Sequence, residues 1–283
     1  MLGQVYKVHT NSYSVKFNGQ LFKCSARGIL KYNRNEISVG DLVEFENGVI
    51  NKIIERKNSF IRPNVANVDL IVAVISPQPK PDYYLLDKLI INAIKENTEV
   101  LIVVNKSDLD DKTYQEILSE YSNLNIEVIS VCAKTGQGID QLKQKLNGKL
   151  TVLAGQSAVG KTSLVNSMFS LDLKVGELSD KIQRGKHTTT RSEIFEYENI
   201  RLIDSPGFAV IDALISVDEI CDYYPDFFSV SHLCKFRGCK HINEPDCKVK
   251  QLVNDGLLSK ERYERYVNIY NELLERRTIY EKD

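Results

Sequence analysis

Residues 155–162 read Gly155-Gln156-Ser157-Ala158-Val159-Gly160-Lys161-Thr162, the G-x-x-x-x-G-K-T pattern of a phosphate-binding loop. The apolar run from Leu150 to Ala154 before it is typical of a buried strand, and the residues after it have helical spacing up to Met168. The glycines therefore lie at a strand-to-helix turn, where backbone N–H groups converge on phosphate oxygens. We expect Lys161 to neutralise the outer phosphates and Thr162 to bind Mg²⁺, with Ser163 completing the nucleotide contacts.

A second motif, Asn105-Lys106-Ser107-Asp108, follows the buried-strand pattern Val100-Leu101-Ile102-Val103-Val104. Loops at the carboxyl ends of such strands bind ligands in open α/β sheets. The Asp108 carboxylate can accept from the ring N–H and the 2-amino group of guanine, whereas adenine has no donors there. A site built around such a bond rejects the analogue lacking it by roughly 10⁴-fold. Asp108 therefore favours a GTPase and disfavours the alternative of a P-loop ATPase.

Three further segments fit the same site. Asp204-Ser205-Pro206-Gly207 follows an apolar run, so Asp204 could hold Mg²⁺ through water and the Gly207 N–H could meet the γ-phosphate. The polar loop 185–190 could lend a threonine hydroxyl to the metal, and we assign this role to Thr189. Cys132-Ala133-Lys134 follows the strand pattern at residues 126–129 and is expected to close over the base.

The order of these motifs is unusual. In ordinary GTPases the motif order along the chain is P-loop, switch loop, D-x-x-G, N-K-x-D and S-A-K. In this chain the order is N-K-S-D, C-A-K, P-loop, switch loop and D-S-P-G. The same parts are circularly permuted, which a packed sheet tolerates when the old termini lie close together. In motifs and order, the chain resembles the ribosome small-subunit-dependent GTPase A family of circularly permuted bacterial GTPases, over essentially its whole length. That family usually has Ser where this chain has Cys132.

The resemblance implies a function in late maturation of the small (30S) ribosomal subunit. It implies GTP and GDP, 16S rRNA and further assembly factors as partners, and slow intrinsic hydrolysis that the subunit stimulates. A hypothesis of another class is a nucleotide-gated RNA-binding module in which GTP orients the domains and hydrolysis matters little. Stimulation of phosphate release by purified subunits separates these two hypotheses.

The residue that orients the attacking water is harder to assign. Ras-type enzymes use a Gln just after the D-x-x-G glycine, and here that position is Phe208, which cannot orient water. His187 in the polar loop is the nearest substitute, and relatives in the resembled family point to the equivalent histidine. A neutral imidazole can orient water or accept its proton. The alternative is that His187 contacts RNA or shapes the loop.

The first 62 residues predict a separate small β-barrel of the OB type. About five short stretches alternate apolar and polar residues, and Asn18-Gly19 and Asn47-Gly48 are typical hairpin turns. Residues 1–60 contain nine Lys or Arg and five Asp or Glu, a local charge of +4. Such barrels bind RNA through basic and aromatic faces, although we expect more than half of the aromatic residues to fill the core instead. The aromatic candidates are Tyr6, Tyr13, Phe17, Phe22 and Tyr32.

The C-terminal segment contains a predicted structural zinc site. Cys234, Cys239, His241 and Cys247 supply three thiolates and one imidazole at close spacing, the ligand set of a closed tetrahedral site. A cytosolic GTPase is an unusual place for disulfides, which favours one zinc ion over a cystine pair. Basic residues around the cluster suit an RNA backbone, with a merely solvated finger as the alternative. Beyond the cluster, Ser259 can cap a helix whose packing face includes Tyr263, Tyr266, Tyr270, Leu273 and Leu274.

Length and composition agree with a multidomain α/β protein. We divide the 283 residues into an OB-type domain at 1–62, a circularly permuted GTPase domain at 63–212 and a zinc-binding helical domain at 213–283. The net charge of -1 gives no overall attraction to nucleic acid, so any basic surface must be local. No secretory signal opens the chain, and no apolar run approaches ~18 residues. We therefore expect a soluble, cytoplasmic monomer.

Overall fold

The structure, a computed structural model, describes residues 1–28, 36–171, 192–204 and 215–280, with side chains for all of these except residues 204 and 276–280. Three regions follow one another along the chain: a β-barrel, an α/β region and a helical module. His187, Thr189, Gly207 and Tyr32, all singled out above, lie outside the described residues.

The N-terminal region is a closed five-stranded barrel, as its alternating sequence predicts. Its strands are β1 (Leu2–Val8), β2 (Tyr13–Phe17), β3 (Gln20–Ala26), β4 (Leu42–Glu46) and β5 (Val49–Ile53), and pairing of β1 with β4 closes it. Asn18 and Asn47 have positive φ at the two hairpin turns, followed by Gly19 and Gly48, as type I′ turns require. Phe17 and Phe22 pack with buried Phe45, so these two predicted aromatics belong to the barrel core.

The second region is a parallel sheet covered by helices. Its strands include β8 (Leu70–Ile75), β9 (Glu99–Val104), β10 (Glu127–Ser130), β11 (Leu150–Ala154) and β13 (Ile200–Asp204), in the order β10-β9-β8-β11-β13, and all are parallel. β8 and β11 are buried along their whole length, as a sheet covered on both faces requires. The helices are α1 (Tyr83–Lys95), α2 (Lys112–Tyr121), α3 (Ile139–Leu146) and α4 (Lys161–Phe169).

The barrel and the parallel sheet form one continuous eleven-stranded sheet. Strand β12 (Glu193–Tyr197) is antiparallel to β13 on one side and pairs with β1 on the other, where Lys7 faces Glu193. The side chains of Lys7 and Glu193 form an ion pair, and the Tyr6 hydroxyl donates to Glu196. Tyr6, an RNA-binding candidate above, is therefore used inside the molecule. A short hairpin of β6 (Ser59–Ile61) and β7 (Asn64–Ala66) follows the barrel.

The C-terminal module is helical and packs against α1. It contains a 3-10 helix (Ile220–Tyr223), α5 (Pro225–Ser231), α6 (Lys248–Asn254) and α7 (Lys260–Tyr280). The Ser259 hydroxyl accepts from the Arg262 N–H at 3.1 Å, so the predicted cap is present. Tyr266 is buried in the module core, and Tyr263, Tyr270 and Leu273 pack around it. Leu274 is 42% exposed, so it is not buried with them as the sequence predicts.

A buried ion cluster attaches the module to the α/β region. Arg262, 1% exposed, contacts Asp87 of α1 and donates to Asp226 of α5 at 2.9 Å. Its guanidinium lies between the rings of Tyr121 and Tyr224. Arg265 bridges Asp87 and Glu120, so helices α1 and α2 are both held by α7. Among the helices of the described residues, none combines the length and the apolar character that crossing a bilayer requires.

Candidate functional site

The phosphate-binding sequence lies where β11 ends and α4 begins, as its pattern predicts. Gly155 has a φ of 139° and Gly160 a φ of 97°, values that L side chains rarely adopt. A Cβ at Gly155 would lie 2.2 Å from the Val74 carbonyl oxygen, and one at Gly160 would lie 2.4 Å from the Asn105 side-chain nitrogen. Both positions therefore require glycine, because the loop passes directly against a neighbouring strand and a neighbouring loop.

The ammonium group of Lys161 is held over the loop. Its Nζ donates to the carbonyl oxygens of Gly155 at 2.6 Å and Gln156 at 2.9 Å. Burial lowers the pKa of Lys161, because desolvation penalises its charged form. An anion reaching the loop would relieve this penalty, so the position of the amine suits phosphate binding. Thr162 follows in the first turn of α4 and is half-buried, and Ser157, Ala158 and Ser163 are exposed.

Asn105 connects all three described motif loops. Its Nδ2 donates to the Val159 carbonyl in the phosphate loop at 2.9 Å, and its Oδ1 accepts from the Ala133 N–H at 3.2 Å. The side chain is 1% exposed, so these bonds are shielded from water. Lys106 adds a second link, because its Nζ donates to the carbonyls of Gln78 and Ala158. The loops that the sequence separates by tens of residues are therefore assembled into one structure.

A cavity of about 300 Å³ lies between these loops. The Asp108 side chain is at its rim, and the Cys132 thiol donates to Asp108 Oδ1 at 3.2 Å, which orients the carboxylate. Asp108 is exposed, whereas Cys132 is buried beneath it. The cavity is lined mostly by residues that the motifs predict, namely Asn105, Lys106, Asp108, Leu109, Cys132, Ala133, Lys134, Gly160 and Ser163.

The segment before α1 also supports the phosphate loop, which the sequence did not indicate. Gln156 Oε1 accepts from the Asp82 N–H at 2.9 Å, and Gln156 Nε2 donates to the Lys80 carbonyl at 3.1 Å. Asp82 in turn caps α1 by accepting from the Leu85 N–H. Backbone groups carry most of these contacts, so no residue pattern marks them.

Part of the predicted magnesium and γ-phosphate region is described only in outline. Asp204 is the last residue of β13, which runs parallel to β11, with Ile203 paired to Val152. Its backbone is therefore at the same edge of the sheet as the phosphate loop. The predicted contributions of Thr189, Gly207 and His187 remain predictions, since these residues lie outside the described ranges.

The cysteine and histidine cluster of the C-terminal module is assembled in space. One ligand atom from each of Cys234, Cys239, His241 and Cys247 lies within 4.8 Å of the others. His241 is fully buried, and its Nδ1 is 3.6 Å from Cys234 Sγ and 3.3 Å from Cys247 Sγ. Burial lowers the pKa of His241, which keeps the imidazole neutral and able to offer a lone pair.

These distances fit a tetrahedral zinc ion. Tetrahedral zinc bonds of about 2.3 Å to sulfur and about 2.0 Å to nitrogen imply about 3.8 Å between two sulfurs and about 3.5 Å between sulfur and nitrogen. The Cys234 and Cys247 sulfurs are 4.0 Å apart, close to the first value. The Lys248 N–H points at Cys234 Sγ at 3.3 Å and stabilises negative charge there. The donor set and spacing therefore suit zinc, bound through Nδ1 of His241.

Two features of the C-terminal module and its contacts have no recognisable signal in the sequence. Cys221 lies 20 residues before His241 in the chain, and its Sγ is 3.1 Å from His241 Nε2. The pair Arg262 and Asp87 is separated by 175 residues and becomes visible only in the fold. Among the basic residues around the cluster, Lys235 pairs with Asp246, and Lys240 lies 3.8 Å from the Asp218 carboxylate. Part of the positive charge is therefore neutralised within the module.

Comparison with known proteins gives full-length similarity. The family model described as RsgA GTPase matches residues 53–214, and the model described as RsgA N-terminal domain matches residues 2–52. A protein of Thermotoga petrophila named small ribosomal subunit biogenesis GTPase RsgA is 38% identical, covering 97% of each chain. A protein of the same name from Clostridium perfringens is 38% identical and covers 98% of this chain and 99% of the relative.

Solved structures agree with these similarities. The crystal structure of YjeQ from Thermotoga maritima has a TM-score of 0.82 and 34% sequence identity, covering 96% of this chain and 98% of YjeQ. The structure of YloQ, a circularly permuted GTPase, has a TM-score of 0.77 and 30% identity, covering 97% of this chain and 95% of YloQ. Both solved structures therefore share the fold of this chain over nearly its whole length, and one of them is described as circularly permuted.

Proposed function

The chain belongs to the RsgA GTPase family, and from this premise we propose that it hydrolyses GTP to GDP and phosphate during late maturation of the small ribosomal subunit. The observation that carries the proposal is the convergence of the phosphate loop, the N-K-S-D loop and the C-A-K loop on one cavity through Asn105. Such an arrangement binds a purine base and a polyphosphate at once, with the two ends read by different loops.

Guanine recognition falls to Asp108. Its carboxylate is fixed by the Cys132 thiol and faces the cavity rim, where the ring N–H and 2-amino group of guanine would donate to it. Asn105, Lys106, Ser107, Ala133 and Lys134 complete the base side of the site. Because adenine has no donors at these positions, ATP would leave the carboxylate without a partner.

The triphosphate would lie along residues 155–163. Lys161 would exchange the carbonyls of Gly155 and Gln156 for phosphate oxygens, and the N-terminus of α4 adds favourable partial charge. Mg²⁺ would be held by Thr162, by Thr189 and by Asp204 through water, with the Gly207 N–H on the γ-phosphate. Bound there, the metal would neutralise charge that develops on the phosphates.

His187 is our candidate for the group that orients the attacking water. The position used for this purpose in Ras-type enzymes is Phe208, so intrinsic turnover is expected to be slow. Docking on the small subunit would place His187 against the attacking water and raise the rate.

The remaining regions would serve recognition and structure. One structural zinc ion would be held by Cys234, Cys239, His241 and Cys247. The barrel at 1–62 and the module at 213–283 would contact 16S rRNA on either side of the GTPase domain at 63–212. The chain would act in the cytoplasm, where its ribosomal partner lies, and would do so as a monomer. Other assembly factors would meet it on the particle.

A steady-state assay of phosphate release with and without purified small subunits tests this proposal. We expect slow release from the protein alone and a many-fold increase with small subunits, but not with large subunits. Lys161→Ala should remove both rates, since it weakens nucleotide binding itself. If small subunits leave the rate of phosphate release unchanged but still bind the protein in a nucleotide-dependent way, the alternative of a nucleotide-gated RNA-binding module would be favoured.

A further inference from the structure

The imidazole of His241 has two nitrogens, and each faces a different sulfur environment. Nδ1 lies 3.6 Å and 3.3 Å from the sulfurs of Cys234 and Cys247, whereas Nε2 lies 3.1 Å from the sulfur of Cys221. The two nitrogens point away from each other across the five-membered ring. A metal bound at Nδ1 is therefore on the far side of the ring from Cys221, which excludes Cys221 as a ligand of the same ion.

The Nε2 atom needs a hydrogen-bond acceptor. When a neutral histidine binds a metal through one nitrogen, the other nitrogen carries the proton, and in metal sites that N–H is almost always paired with an acceptor. His241 is 0% exposed, so bulk water does not reach it. Among the described residues, the Cys221 sulfur is the polar atom found within hydrogen-bond distance of Nε2.

Cys221 is itself held in place. It belongs to the 3-10 helix Ile220–Tyr223, its carbonyl accepts from the Tyr224 N–H, and it is 8% exposed within the core of the module. The Tyr266 ring lies beside His241, and the hydroxyls of Tyr263 and Tyr266 fix the backbone carbonyls of His241 and Lys240. The imidazole is therefore enclosed by the module core, with the Cys221 sulfur next to its Nε2.

We infer that Cys221 is a positioning residue of the zinc site: its sulfur accepts the Nε2–H of His241, which fixes the tautomer and turns Nδ1 toward the metal. The usual acceptors for this purpose are carboxylates, carbonyls or water. A thiol is weakly polar and can do this inside an aromatic core without introducing a buried charge. The role of Cys221 depends on the proposed zinc site and is independent of GTP hydrolysis.

Three substitutions separate hydrogen bonding from packing. Cys221→Ser keeps an acceptor, Cys221→Val fills the space without one, and Cys221→Ala removes both. Cys24→Ala is the matched control, because Cys24 is also a buried thiol but lies in the barrel core. Zinc affinity is measured by competition with a chromophoric chelator on the full-length protein, and far-UV circular dichroism verifies that each variant is folded.

We expect the Val and Ala variants to bind zinc about 10- to 100-fold more weakly, the usual cost of losing an outer partner of a ligating histidine. The Ser variant and the Cys24→Ala control should remain within a few-fold of the wild type. Long-range ¹H–¹⁵N spectra of the zinc-loaded protein should show the His241 ring metal-bound at Nδ1 and protonated at Nε2. Cobalt-substituted protein should give the charge-transfer intensity of three thiolates in every variant.

Other results would overturn the inference. Unchanged affinity in both Cys221→Val and Cys221→Ala would remove Cys221 from the site, as would a His241 ring bound through Nε2 or a fourth thiolate in the cobalt spectrum. Full affinity for Val with a loss for Ser would mean that Cys221 acts by packing. A wild-type protein that binds no zinc would overturn the metal site together with this inference, whereas the preceding outcomes overturn the inference alone.

Discussion

The nucleotide site and the metal cluster are built in opposite ways. The nucleotide site takes its residues from loops at 105–108, 132–134 and 155–163, and leaves Asp108 and Lys134 exposed at the rim of a cavity of about 300 Å³. The cysteine and histidine cluster takes its four candidate metal ligands from residues 234–247, three of them buried, with His241 fully enclosed by the module core.

The difference corresponds to what each site must do with its ligand. A nucleotide has to enter and leave, so its site should be formed before the nucleotide binds. Asn105 and Lys106 form the site in advance, because their side chains hold the loops together. The zinc donors could not be held this close as three thiolates without a cation, because like charges repel at these distances. The proposed zinc ion would therefore be part of the module's fold, whereas the nucleotide would bind to a fold that forms without it.

The largest effect should follow from removing the metal. Zinc binding to small structural sites supplies about 10–16 kcal/mol of folding free energy. Cys239→Ser, or chelation, should therefore release one zinc per chain and unfold the C-terminal module, as seen by elemental analysis and loss of far-UV helical signal. Cys24→Ser changes a buried cysteine outside the cluster and should retain the zinc. A metal-free native protein with Cys234 linked to Cys239 would show that the cluster is a disulfide site.

The next effect concerns base recognition in the preformed site. Asp108→Asn should lower GTP affinity by roughly 10⁴-fold, because an amide NH₂ replaces one carboxylate oxygen and one of the two guanine donors then faces a donor. The same variant should gain affinity for xanthosine triphosphate, whose 2-oxo group accepts from the new amide. Competition against a fluorescent GDP analogue measures both.

Asp110→Asn is a suitable control for this exchange, since Asp110 caps the Thr113 N–H outside the cavity. Its nucleotide preference should match that of the unmodified protein. Equal binding of GTP and ATP by the unmodified protein would refute the assignment of Asp108 to guanine.

The sequence predicted those parts that local chemistry dictates. The asparagine-glycine turns at 18–19 and 47–48 have the positive φ values that their composition implies, and the strand before Gly155 leads into a helix at Lys161. The four proposed zinc ligands could be recognised because they are close together in the chain. Ser259 was recognisable as a cap because its bond runs to Arg262, three residues on.

The parts that escaped prediction depend on distance along the chain. Asp87 and Arg262 are ordinary helix-surface residues in sequence, and only the packing of α7 on α1 buries them together. The joining of the barrel to the sheet through Lys7 and Glu193 is likewise a contact over 186 residues. Nothing local in the sequence connects Cys221 with His241, which lies 20 residues further along the chain.

A smaller effect tests how the helical module is attached to the α/β region. Arg262→Met should lower the free energy of unfolding by about 3–5 kcal/mol, because it leaves the Asp226 carboxylate buried without a partner and weakens the neutralisation of Asp87. Urea denaturation followed by circular dichroism measures the change.

Lys145→Met is the control: it removes one exposed ion pair, with Glu127, and should cost at most about 1 kcal/mol. Equal losses in the two variants would contradict the view that the buried cluster attaches the module. We also expect the Arg262→Met transition to begin with the helical module, since the barrel joins the sheet through backbone pairing at β1 and β12.

The smallest effect separates nucleotide binding from catalysis within the nucleotide site. The cysteine and histidine cluster offers no such separation, because a structural metal site has no reaction to catalyse. Lys161→Ala should weaken GTP binding, since the phosphates carry their charge already in the ground state. His187→Ala should leave GTP affinity nearly unchanged and lower the small-subunit-stimulated kcat by ~10²-fold, because an interaction made only in the transition state affects kcat alone. His232→Ala, which removes an exposed histidine of the C-terminal module, is the matched control and should keep its stimulated rate. If His187→Ala retains full stimulated turnover, the histidine shapes the loop or faces RNA, and the attacking water must be positioned by the subunit or by a backbone carbonyl.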